Sequence, residues 1–77
     1  MPEYAVWVHP AGEAPCRDST FAGAKRDAPA ILRRVAATRY PGCTVRRSND
    51  ALVVRRDGVY VATVAVERVR PASGGGA

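Results

Sequence analysis

The chain has 77 residues, 47% of them hydrophobic and 25% charged, the composition of one small globular domain and not of a disordered segment. Domains of this length bury only about 60% of the surface that their unfolded chains expose, so the stability margin is thin and self-association would widen it. A net charge of +5 and a pI near 10.0 draw the chain towards polyanions and acidic surfaces.

Eleven of the twelve basic residues are arginine, Lys25 being the single lysine, and alanine and valine are abundant. That bias points to a GC-rich coding sequence, and it also favours bidentate contacts to phosphate and carboxylate. The opening residues MPEYAVWVHP lack the basic segment and long apolar run of a signal peptide. No run approaches the roughly 18 apolar residues of a membrane span, so no membrane association and a cytoplasmic location are expected. Cys16 and Cys43 are too widely spaced for a metal knuckle, and the one histidine, His9, does not complete a zinc site with them. Reduced thiols, no metal and no cofactor are the expectation.

The first predicted element is a strand over residues 3 to 9, where Tyr, Val and Trp suit a pleated surface and Pro10 ends the run. Tyr4, Val6 and Val8 point to one side, and Ala5, Trp7 and His9 to the other. Residues 10 to 27 are rich in Pro, Gly and small polar residues and read mostly as loop, with a capped helical turn through Phe21 and Ala24 as the alternative. A helix is predicted to start near Asp27 and to run until Pro41 pushes Tyr40 out of helical geometry. Asp27 supplies the N-cap, Pro29 falls in the first turn, and Ile31, Leu32 and Val35 form the apolar stripe with Arg33 and Arg34 off it. Pro41 and Gly42 end it.

Three strands follow, at 43 to 48, 51 to 56 and 59 to 69, joined by two-residue turns at Asn49-Asp50 and Asp57-Gly58. Regular pairing through both turns sets Arg46 against Val53, Val45 against Val54, Arg55 against Tyr60 and Val54 against Val61. Cys43, Val45, Leu52, Val54, Val59 and Val61 then share the face that the helix covers. Thr44, Arg46, Val53, Arg55, Tyr60, Ala62, Val64 and Val66 share the uncovered one. The pairs Arg46-Arg47 and Arg55-Arg56 each give one arginine to either face.

The predicted fold is α+β: a single small domain, strand-helix-strand-strand-strand, with one helix packed on a four-stranded, largely antiparallel sheet. Residues 1–70 form this domain and 71–77, PASGGGA, a flexible Gly/Ser-rich tail. The position of the first strand in the sheet, and the direction of its pairing, stay open.

No Cys-His or paired-carboxylate constellation marks catalysis, and Asp27, Asp50 and Asp57 are absorbed by cap and turns, so no enzyme activity is expected. The expected function is a small basic binding module, a nucleic-acid-associated accessory or regulatory protein of a GC-rich bacterium or its phage. Its candidate site residues are Arg46, Arg55 and Tyr60 on the uncovered face, where bases would stack and cations follow phosphates. Arg33 and Arg34 would add phosphate contacts from the helix. The second reading is a protein–protein interface on the same face, a homodimer or docking on a host or regulatory protein, with Val53 and Val64 as its apolar part.

Overall fold

The computed structural model describes residues 2–69. The predicted tail, 71–77, lies outside the described residues. In chain order the elements are β1 (Glu3–Pro10), β2 (Cys16–Ala22), a single 3-10 turn (Lys25–Asp27), α1 (Ala28–Arg39), β3 (Thr44–Ser48), β4 (Ala51–Arg56) and β5 (Val59–Val69). All five strands belong to one sheet in the order β2-β1-β5-β4-β3, and every neighbouring pair is antiparallel. This is the predicted α+β domain with one helix on one sheet, and the sheet has one strand more than predicted.

The extra strand is β2, which occupies much of the stretch read as loop. Its sequence CRDSTFA carries neither apolar alternation nor a β-branched run, so pairing rather than propensity makes it a strand. β1 offers it an edge, and the register Tyr4↔Phe21 brings the two rings into a stack with centroids 5.3 Å apart. On its other side β1 pairs with β5, from Glu3↔Val69 to Pro10↔Ala62, which settles the place and the direction of the first strand.

The β3–β4–β5 meander follows the turn signals. Asp57 and Gly58 adopt φ +52 and +80, the paired positive values of a turn whose twist matches a hairpin, whereas in the Asn49-Asp50 turn Asn49 alone is positive, at φ +53. Arg46↔Val53, Val45↔Val54 and Arg55↔Tyr60 pair as predicted. The next rung differs: Val54 pairs with Ala62 instead of Val61, because the ladder shifts between Val54 and Arg55. One residue of β5 is extra, a bulge. Val61 therefore packs with the core beside Ala62, and the alternation of β5 changes phase there.

This shift corrects the face assignment. Ala62 and Val64 are fully buried under α1, and Val66 packs against the same cluster, so none of the three lies on the uncovered face. The core comprises Val6, Val8, Leu52, Val54, Ala62 and Val64 from the sheet with Leu32, Val35 and Ala36 from the helix. Each large apolar side chain in it contributes about 1.5–3 kcal/mol relative to exposure. Val59 and Val45, both assigned to the covered face, are 66% and 44% exposed.

Helix α1 presents Ala28, Leu32, Val35 and Ala36 to the sheet and packs on β4 and β5. Its start differs in detail from the predicted cap. Asp27 closes the preceding 3-10 turn with helical φ and ψ, and its carboxylate accepts the Ala24 N–H at 3.3 Å instead of a first-turn N–H of α1. The stop is as read: Tyr40 leaves helical geometry, Gly42 takes φ +80, and the Cys43 N–H donates to the Tyr40 carbonyl at 3.2 Å, a Pro-Gly reversal. Two ion pairs tie the layers, Arg39 Nε to Asp18 at 2.7 Å and Lys25 Nζ to Asp50 at 3.5 Å. Both cysteines are free. No helix of the described residues is long and apolar enough to cross a membrane.

Candidate functional site

The uncovered face of the sheet is assembled by the cross-strand rows. One row runs Arg17, Trp7, Ala65, Ala51, Ser48 across all five strands. The next runs His9, Thr63, Val53, Arg46 across the four strands from β1 to β3. Beyond it lie Tyr60, Arg55 and Thr44. Residues directly opposite one another share a face, so this surface gathers two aromatic rings, a histidine and three arginines from all five strands.

Trp7 is half-buried on this face, and the Arg17 guanidinium carbon lies 5.8 Å from its ring centroid, a cation–π distance. The Trp7 indole N–H is buried and meets no acceptor among the described residues. An unmet donor of that kind costs about 1–3 kcal/mol. Tyr60 is 43% exposed, and its hydroxyl shares a 2.6 Å hydrogen bond with Thr63 Oγ1 and lies 3.5 Å from the His9 carbonyl, which accepts from it. Those contacts hold the ring along the seam between β1 and β5. The Trp7 and His9 rows are two residues apart along β1, roughly 7 Å, so the seam carries an indole at one station and a phenol anchored at the next.

The cations flank this seam. Arg17 stands on the β2 side, and Arg46 and Arg55 stand on the β4–β3 side; all three are exposed. The two outer strands also carry unpaired backbone edges, and the charged Arg46-Arg47 and Arg17-Asp18 segments discourage edge-to-edge association there. Every residue of β3 is exposed, so its arginines protect an edge as well as edging the face.

Of the candidate residues, Arg46, Arg55, Tyr60 and Val53 are brought together on this face. Val64 is removed from it, since the bulge turns its side chain into the core at 0% exposure. Arg33 and Arg34 are exposed on the helix, which packs on the opposite side of the sheet, and they do not join the other three arginines. Sequence reasoning missed Trp7 and Arg17. Trp7 shared its side of β1 with His9 in the alternation, and what was lacking was the pairing of β1 with β5 that puts this side level with Arg46.

Beside Trp7 the face is concave. A cleft of about 430 Å³ is lined by Trp7, His9, Pro15, Ala65, Val66 and Glu67. Two further hollows lie elsewhere, one of about 330 Å³ between β2 and α1 and one of about 270 Å³ beside Lys25 and Asp50. Among the described residues no group of three His, Cys, Asp or Glu is placed to hold a metal ion. No protein-family model matches the chain, and neither a curated protein nor a solved structure matches it.

Proposed function

We propose that the uncovered sheet face binds single-stranded nucleic acid, and that the protein acts as a non-enzymatic accessory or regulatory module. The observation that carries this reading is the strand register, which aligns Trp7 and Tyr60 along one seam with Arg17 on one flank and Arg46 and Arg55 on the other. Unstacked bases gain about 1–3 kcal/mol each on such rings, whatever their identity, while guanidinium groups track the phosphates. A duplex keeps its bases stacked and offers the face only its backbone, so single strands bind more tightly.

The protein-docking reading of the same face rests on its apolar area. Val64 and Val66 belong to the helix-side core, and among aliphatic side chains Val53 with the alanines Ala51 and Ala65 is what remains beside the two rings, Trp7 and Tyr60. That loss favours nucleic acid over a homodimer. Anisotropy titrations of labelled single- and double-stranded oligonucleotides, at low and at physiological salt, test the proposal. Three phosphate contacts give a slope of log K against log salt of about −2 for a single strand. Absence of binding to either form at low salt ends the reading.

A further inference from the structure

Resting on that reading, we infer that the cleft beside Trp7 is a base-selective pocket and that the base it takes is guanine. Arg17 covers one face of the indole from the β2 side. Trp7 also lines the cleft, together with Ala65, the residue paired with it across the β1–β5 ladder. A planar base entering there meets an aromatic side chain and a small one, Trp7 and Ala65, and stacks on the indole.

Glu67 stands at the end of this cleft, exposed, one row along β5 from Ala65. Among the described residues it has neither an ion-pair partner nor a hydrogen bond, as also holds for Glu3, Glu13 and Asp57, and of these four it alone lines the cleft. A carboxylate accepts and does not donate. Of the four bases, guanine alone offers two adjacent donors on the edge that is free in a single strand, N1–H and the N2 amino group, matching both carboxylate oxygens. Adenine and cytosine each put a ring-nitrogen lone pair beside their amino group, and thymine flanks its one N–H with two carbonyls. Each of these sets a lone pair against the carboxylate. A negative group beside a phosphate-binding surface is unfavourable for general affinity, and base reading through donors gives it a use.

Trp7 is the chain's only tryptophan, so its fluorescence reports this pocket directly. The experiment titrates the protein with oligothymidine heptamers whose central base is guanine, adenine, cytosine or thymine, a design that excludes guanine quartets. Wild type is expected to bind the guanine heptamer about tenfold tighter than the other three. Glu67→Gln is expected to bring the four within about twofold of one another while still binding the all-thymine strand and keeping the wild-type circular-dichroism melt. Equal affinity of wild type for all four heptamers overturns the pocket and leaves the platform standing. A guanine preference that survives in Glu67→Gln overturns the role of Glu67. No binding of any heptamer at low salt removes the platform and the pocket together.

Discussion

The two faces of this sheet are made from the same strands and have opposite characters. Under α1, Val6, Val8, Leu52, Val54 and Val64 are buried to less than 2% exposure, and the charged residues sit at its margins. On the other side, no helix of the described residues covers Trp7, His9, Tyr60, Arg46 and Arg55. The difference turns on the phase of β5, which changes at Val61. Before the bulge its register follows from the turn; after it, Val64 and Val66 go inward and Thr63, Ala65 and Glu67 go outward. A single inserted residue decides which valines are core and which side chains reach solvent.

The largest effect is expected from placing the same charge on either face. Val64→Glu places a carboxylate in the core without a partner, a cost of several kcal/mol that rivals the whole margin of a small domain. It is expected to abolish the cooperative thermal transition in circular dichroism. Val53→Glu, on the open face, is expected to melt within a few degrees of wild type, as surface substitutions do. A folded Val64→Glu protein would overturn the register proposed for β5.

The open face is sharpened by removing its ring. Tyr60→Ala is expected to weaken single-strand binding by about 1–3 kcal/mol, the worth of one stacked base, whereas Tyr60→Phe keeps most of the affinity. Equal affinities for the two variants would show that the ring does not stack. Replacing both Arg46 and Arg55 by glutamine should lower the salt slope by about 1.4, while the same change at Arg33 and Arg34 leaves it in place.

A smaller effect is expected where the register begins. Gly58 holds φ +80 with open space where a Cβ would go, so Gly58→Ala introduces backbone strain without a clash. The expected loss is about 1–2 kcal/mol in denaturant midpoint analysis. A neutral result would mean that the turn relaxes to another type.

The smallest effect concerns the tie between β2 and the helix. The Asp18 carboxyl lies below its ordinary value of 3.8, first because Arg39 Nε–H donates to it, with burial opposing and the Ser19 hydroxyl assisting. A carboxyl lowered on folding contributes its stability fully above the unfolded value and loses it as pH falls through the folded one. The pair is partly exposed, at 37% for Arg39 and 23% for Asp18, and solvent screening keeps its worth below about 1 kcal/mol. Urea midpoints of wild type and Arg39→Gln should therefore differ slightly at neutral pH and converge in acid. A constant gap down to strongly acid pH would place the interaction elsewhere.

Local chemistry made much of the fold legible. Pro29, Pro41 and Gly42 bound the helix, and Asn49-Asp50 and Asp57-Gly58 fix the hairpins, because each acts through the backbone within a few residues. β2 was illegible for the opposite reason. CRDSTFA has little intrinsic preference for a strand and becomes one by adding to an edge that only the β1–β5 pairing creates. The bulge left a trace in the sequence: valines at 59 and 61 give way to valines at 64 and 66, with Thr63 and Glu67 alternating against the latter. The candidate site followed the same division. Arg46, Val53, Arg55 and Tyr60 were found from turn geometry, whereas Trp7 and Arg17 joined them only through pairings that span most of the chain.

The pairing of Glu3 with Val69 sets the first and last described strands side by side in the middle of the sheet, running in opposite directions. Tension applied across these two ends would part the hydrogen bonds between them one after another, like a zipper, in place of loading all of them at once in shear. The protein should yield to a weak pull despite its continuous sheet, and a tether at both ends would make it a soft mechanical link.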